Sequence, residues 1–118
     1  MGTVQIKRVY DPVEETDGKR ILVDRLWPRG MKKESAHLDE WLKDIAPSTE
    51  LRKWFHHDAA EWNEFTTRYI LELKQNTAVN TLLDIISKNK TVTLLYGAHD
   101  TEHNHALVLL RFINEVVK

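Results

Sequence analysis

Two arginines, an aspartate and a tryptophan follow a short apolar run, Ile21 to Val23, in this chain. The run is typical of a buried strand, and Asp24, Arg25, Trp27 and Arg29 come where that strand should end. A guanidinium group presents paired donors that match two oxygens of a phosphate or a carboxylate. We therefore predict that this stretch forms the floor of an anion-binding site.

The same charged stretch also has a purely structural interpretation. Pro28 ends the strand and Gly30 permits a sharp exit, so the arginines could simply fix this loop by pairing with Asp11, Asp24 or Glu34. We expect Arg25 and Arg29 to reach one cleft. We also expect at least one of them to contact a carboxylate, with Asp11 and Asp58 favoured.

Two histidine-containing segments offer further chemistry. His57 and Asp58 could form an acid–base pair, although Asp58 is also placed to cap the next helix. His99, His103 and His105, together with Asp100, resemble a metal cluster, but a polar loop before a helix explains the same run. We therefore predict no metal site.

Composition limits the class of protein. The chain has 118 residues, no cysteine and a net charge of −1. It is long enough for one domain, residues 1–118, and it has no thiol for disulfides, metal binding or catalysis. The charge disfavours a dedicated nucleic-acid binder. No apolar run reaches the roughly 20 residues that span a bilayer, so we expect a cytoplasmic protein with no membrane partner. Neither a cofactor nor an oligomeric state is indicated.

Periodicity predicts three strands and five helices. The strands cover residues 3–10, 20–23 and 91–98, and the helices cover 38–45, 48–55, 58–73, 79–89 and a stretch after 105. This order predicts an α/β fold, a small layered sandwich with three or more mostly parallel strands and about five helices. The expected buried residues are Leu22, Val23, Trp41, Leu51, Trp54, Phe65, Leu94 and Leu95.

The direction of the first two strands decides which residues meet. In parallel α/β sheets, ligands lie beyond the carboxyl ends of the strands. If all three strands are parallel, that edge gathers Tyr10, Asp11, Asp24, Arg25, Arg29, Tyr96, His99 and Asp100. The connection at 11–19 is short for a parallel crossover. A hairpin would move Tyr10 and Asp11 to the opposite end.

Several motifs resemble one known family. They are the segments 7–11, 17–20 and 22–30, then 46–48, 51–58 and 68–73, and finally 93–96 and 104–106. Together they resemble the YeaO-like family of uncharacterised bacterial proteins (domain of unknown function 488), over nearly the whole chain. The resemblance implies an α/β fold and a site at the ends of the second and third strands, including Tyr96 and Asn104. In a broader related group a cysteine motif follows the third strand. Because this chain has no cysteine, thiol chemistry does not carry over.

The leading functional hypothesis is binding of an anionic small molecule, a nucleotide or a phosphorylated metabolite, at this edge. An enzyme that uses Asp24, His57 and Asp58 as acid–base groups is one form of it. The predicted ligand-binding residues are Tyr10, Asp11, Arg25, Trp27, Arg29, Tyr96 and Asn104. The alternatives are a regulatory module that recognises nucleic acid or a protein, and a structural or oligomeric stress protein.

Overall fold

Four parallel strands form a single sheet in the computed structural model, which describes residues 2–56 and 58–117. The strands are β1 (Thr3–Arg8), β2 (Lys19–Leu22), β3 (Glu40–Trp41) and β4 (Thr91–Tyr96), in the spatial order β1-β4-β2-β3. The described α-helices are α1 (Lys33–Ala36), α2 (Thr49–Phe55), α3 (Trp62–Lys74), α4 (Ala78–Lys88) and α5 (His105–Val116). Short 3₁₀ turns lie at Glu15–Asp17, Lys43–Ile45 and Ala59–Glu61. The predicted α/β class is confirmed.

Strand β4 lies at the centre of the sheet, between β1 and β2, and is parallel to both. Its residues from Val92 to Tyr96 are buried, as expected for a strand that is apolar on both faces. Because β4 separates β1 from β2, these two strands do not form a hairpin. The parallel alternative is therefore correct, and Tyr10 and Asp11 follow β1 at the same edge as Asp24.

The helices cover one face of the sheet and loops cover the other. Ile21, Val23 and Leu94 pack with residues of α2, α3, α4 and α5 in the main core. Val9, Leu22 and Leu95 form a smaller cluster on the opposite face, against Trp27 and other loop residues. The alternation of side chains along each strand produces this division.

Two of the expected core residues are on the surface. Trp41 and Trp54 are each 37% exposed, whereas the other six residues expected in the core are buried. Trp54 points outward from α2, and the Arg68 guanidinium lies 4.2 Å from its ring centroid. Trp41 belongs to the edge strand β3. Predicting burial for these two side chains was wrong, because an aromatic side chain on a short element can also pack against the outer surface.

The helix predicted at 38–45 is wrong. The backbone there pairs with β2 instead: Asp39 N–H donates to Arg20 O at 2.8 Å and Leu42 N–H to Leu22 O at 2.9 Å. Leu38 then packs on the loop-covered face, while Ile45 enters the main core. Tertiary pairing thus overrides a helical spacing of apolar residues. Within 38–45 only Lys43–Ile45 is helical, as one 3₁₀ turn, and helix α1 lies earlier in the chain.

Helix boundaries follow the capping signals in part. Asp58 accepts from Ala60 N–H, the cap predicted for it, and Ser48 Oγ accepts from Leu51 N–H at the start of α2. Asn89, just after α4, is extended, with a φ of −129°. Among the described residues, no helix is long and apolar enough to cross a membrane.

A buried polar cluster holds the loops against the sheet. The Asp17 carboxylate accepts from Lys7 Nζ at 2.9 Å, from Glu14 N–H at 3.0 Å and from Arg20 Nη1. Burial by itself would raise the pKa of Asp17, but these donors outweigh it and lower the pKa below its usual value. No sequence pattern indicated this cluster, because its members come from β1, a turn and β2.

Phe65 supports the aromatic part of the core. It is 2% exposed, and its ring stacks on Phe55 with centroids 4.2 Å apart. We expect Phe65→Ala to lower the free energy of unfolding by about 3–5 kcal/mol, because it leaves a cavity. Trp54→Ala is the control, and it should cost about 1 kcal/mol or less, since Trp54 is partly exposed. Urea denaturation measures both, and equal losses would contradict the assignment.

The Asp17 cluster should make the free energy of unfolding depend on pH in the acid range. Since folding lowers the pKa of Asp17, its stabilisation is present at neutral pH and is lost as pH falls through the folded value. The stability difference between wild type and Asp17→Asn should therefore shrink between about pH 5 and pH 2. Glu14→Gln is the control, because Glu14 is an exposed partner of the same lysine. Urea denaturation at each pH tests this, and a constant difference would refute it.

Candidate functional site

Asp24 joins the carboxyl ends of three strands. Its Oδ2 accepts from Gly97 N–H at 2.9 Å, just after β4, and its backbone carbonyl accepts from Trp41 Nε1 of β3 at 2.7 Å. A Cβ on Gly97 would lie only 3.0 Å from Oδ2, so glycine permits this close approach. The carboxylate is therefore held in a fixed position just beyond β2.

His105 reaches the same point from the first position of α5. Its Nε2 lies 2.9 Å from the carbonyl oxygen of Val23 and 3.2 Å from Asp24 Oδ1. Because a carbonyl can only accept, Nε2 carries a hydrogen and donates it. The contact with Oδ1 is an ion-pair distance without hydrogen-bond geometry, and Oδ1 is buried with no hydrogen bond.

Arg25 is anchored to the backbone. Its Nε donates to Pro47 O at 3.2 Å and its Nη2 to Ala46 O at 3.1 Å. Its Nη1 lies 3.9 Å from Asp44 Oδ1, at the outer limit of an ion pair. The prediction that one arginine contacts a carboxylate is confirmed, but the partner is Asp44 and neither Asp11 nor Asp58.

Arg52 was not predicted as a site residue. It lies on α2, and its Nε is buried without a hydrogen-bond partner. A signal for it existed: Ser48, Leu51, Arg52 and Phe55 share one helical face, so this arginine accompanies the inward-facing residues.

Asp24, Arg25, Arg52 and His105 line one pocket of about 100 Å³, which we call the Arg52 pocket. The remaining lining residues are Leu26, Ala46, Pro47 and Ala98. Two guanidinium groups therefore face one carboxylate, which leaves a net positive charge when His105 is neutral. Such an arrangement can hold an anion and can position a ligand proton near a carboxylate and an imidazole.

Other predicted residues form a packed polar group at the ends of β1 and β4. Tyr10 donates its hydroxyl to Arg29 O at 2.6 Å, and Asp11 Oδ2 accepts from Arg8 N–H at 3.3 Å. Tyr96 is buried, and burial raises the pKa of its hydroxyl above the ordinary value. Asn104 caps α5 by accepting from Leu107 N–H at 2.9 Å. These contacts are structural, and none of these predicted residues lines the Arg52 pocket.

The other predicted residues are dispersed. Trp27 lies on the loop-covered face of the sheet and donates from Nε1 to Met31 O at 2.7 Å. Arg29 is exposed and does not line the Arg52 pocket, so the expected cleft shared with Arg25 is not found there. Asp58 is an exposed helix cap. The prediction for His57 falls outside the described residues.

The histidine-rich loop before α5 is held together internally. His103 Nδ1 lies 2.9 Å from Asp100 Oδ2, and Asp100 Oδ1 accepts from two backbone N–H groups, of Glu102 and His103. These backbone and side-chain contacts lower the pKa of Asp100 below its usual value. Within residues 2–56 and 58–117, no group of three or more histidines and carboxylates is arranged to hold a metal ion.

Comparison with known proteins gives a family. A family model described as the inactive DUF488-N3 subclade matches residues 3–118. The chain belongs to the YeaO-like DUF488 family. It is 51% identical over 113 residues to the uncharacterised protein YeaO of Escherichia coli, covering 96% of this chain and 98% of YeaO. Uncharacterised proteins of Mycobacterium tuberculosis and Mycobacterium bovis are each 38% identical over 111 residues, covering 94% of this chain and 93% of theirs. No solved structure matches the chain significantly.

The role of Asp24 as a joint between strands can be tested by mutation. Asp24→Ala removes the acceptor of Gly97 N–H and the ionic partner of His105, so it should lower the free energy of unfolding by about 1–3 kcal/mol. Asp24→Asn keeps an acceptor oxygen and should cost less. Chemical denaturation measures both variants. Equal stability of Asp24→Ala and wild type would contradict this role.

Proposed function

We propose that the Arg52 pocket binds the anionic group of a small molecule, such as a phosphate or a carboxylate. One observation carries the proposal. Among the described residues, buried side-chain atoms without a hydrogen bond occur at Asp24 Oδ1, Arg52 Nε and Thr66 Oγ1, and the first two line this one pocket. A buried polar atom without a hydrogen bond lowers the stability of a folded protein. Such atoms are therefore found where a ligand supplies the missing hydrogen bond.

Arg52 Nε and Asp24 Oδ1 require different groups on a ligand. Arg52 Nε is a donor and requires an acceptor such as a phosphate or carboxylate oxygen. Asp24 Oδ1 is an acceptor and requires a hydroxyl or N–H donor. A phosphate monoester with a neighbouring hydroxyl meets both requirements, whereas a simple halide meets only the first.

Arg25 contributes a fixed positive charge to the same pocket. Its hydrogen bonds to Ala46 O and Pro47 O hold the guanidinium in place before any ligand binds. Asp44, whose side chain is 84% exposed, neutralises it only weakly across 3.9 Å. Preorganisation of this kind favours binding because little side-chain freedom is lost.

Binding is better supported than turnover. The matching subclade is described as inactive, and of the predicted acid–base residues Asp58 is occupied as an exposed helix cap. Asp24 and His105 are close enough to move a proton, yet both are engaged in holding the strand ends together. These observations favour a protein that binds an anionic small molecule over an enzyme that converts one.

Arg52 provides the test, with inorganic phosphate as the probe. Arg52→Met keeps the apolar stem and removes the guanidinium, so the dissociation constant for phosphate should rise at least ~10-fold, the effect of one lost charged hydrogen bond. Isothermal titration calorimetry measures this constant. Folding stability should change little, because the Arg52 side chain has no hydrogen bond to lose among the residues that the structure describes. Arg29→Met is the matched control, since Arg29 is exposed outside the pocket, and it should bind as wild type does.

Two results would overturn the proposal. One is the absence of phosphate binding, and of carboxylate binding with citrate as probe, to the wild-type protein. The other is an equal loss of affinity in Arg29→Met and Arg52→Met, which would indicate general surface attraction.

A further inference from the structure

We infer that the ligand of the Arg52 pocket carries a planar aromatic ring beside its anionic group, and that Trp41 is the platform on which this ring stacks. A nucleoside monophosphate has the required chemistry. This inference rests on the proposed function, because it names the ligand class of that site. The observation that supports this inference is the position of Trp41, which lies at the edge of the sheet and not in the core.

Trp41 is exposed and yet held in a fixed orientation. The residue is 37% exposed, its Nε1 donates to Asp24 O at 2.7 Å, and its ring packs edge-on against Trp27 with centroids 5.4 Å apart. The Lys43 ammonium lies 5.1 Å from the ring centroid, on an exposed side chain without a described carboxylate partner. A planar ligand ring can displace this ammonium from the π-face, and the freed cation can then pair with an anionic group.

The Arg52 pocket is too small for a whole ligand. Its volume is about 100 Å³, whereas sites for small molecules typically begin near ~300 Å³. It therefore suits one anionic group, and the remainder of the ligand must extend beyond it.

A second hollow of about 330 Å³ is lined by Trp41. No described residue lines both hollows, but residues of one contact residues of the other: Trp41 Nε1 donates to the carbonyl of Asp24, and Arg25 Nη1 lies 3.9 Å from Asp44 Oδ1. One ligand can therefore place an anion against Arg52 and a ring against Trp41.

The second hollow also has polar side chains in its lining. Thr77 and Thr81 are exposed residues that line it, and the Thr77 side chain does not cap α4. Hydroxyl groups can donate to or accept from the polar edge of a nucleobase or the hydroxyls of a sugar. A purely apolar aromatic ring would leave these groups unused, so the surroundings favour a nucleobase.

The test compares AMP with ribose 5-phosphate, which has the same phosphate without a base. Stacking of a base on an aromatic side chain should make AMP bind ~5- to 100-fold more tightly to the wild-type protein by isothermal titration calorimetry. In Trp41→Leu, the two ligands should bind with equal affinity, because the base has no aromatic ring to stack on. Trp54→Leu is the matched control: Trp54 is also 37% exposed and also has a cation over its ring, but it lies outside both hollows. It should keep the wild-type preference.

Each outcome separates this inference from the proposed function. If the wild-type protein binds AMP and ribose 5-phosphate equally, the stacking inference is overturned while anion binding stands. If neither binds, and inorganic phosphate does not bind, both are overturned. Should Trp41→Leu fail to fold, Trp41→Phe keeps a ring and should retain the preference for AMP. If Trp54→Leu loses the preference for AMP and Trp41→Leu keeps it, the ring stacks on Trp54 and the inference is overturned.

Discussion

The buried guanidinium of Arg20 organises much of this fold. It is 4% exposed, and it pairs with Asp17 while donating to Ala36 O at 3.0 Å and His37 O at 3.1 Å. A buried charge is tolerated only when it is paired and hydrogen-bonded, so the two flanking loops must close over it. This requirement fixes the loops, with the short helix α1 between them, on the face of the sheet opposite α2 to α5.

The position of the candidate site follows from that closure. The loop that Arg20 holds at His37 continues directly into β3, where Asp39 N–H also bonds to Arg20 O. Strand β3 is short, and its pairing with β2 places Trp41 beside Asp24. The polar cluster on one face of the sheet therefore positions an aromatic side chain beside Asp24, one of the residues that line the Arg52 pocket, although the cluster contributes nothing to that pocket itself.

The candidate site combines firmly held groups with unsatisfied ones. Asp24 Oδ2, His105 Nε2 and two donors of Arg25 are engaged in local contacts that stabilise the strand ends. Asp24 Oδ1 and Arg52 Nε have no hydrogen bond, although Oδ1 lies 3.2 Å from His105 Nε2. The first set gives the pocket its shape, and the second set supports the proposal that it binds a ligand with both an acceptor and a donor.

Local sequence determined the parts of this protein that depend on neighbours in the chain. The apolar runs of β2 and β4, the Ser48 cap and the charges that follow Val23 could all be predicted, because alternation and capping act over a few residues. Long-range pairing decided the rest. The insertion of β4 between β1 and β2 selected the parallel edge, and pairing with β2 turned an apparent helix into β3. His105 contacts Asp24, and Arg52 lines the same pocket, only because separate helices pack on that edge, and no local spacing encodes that arrangement.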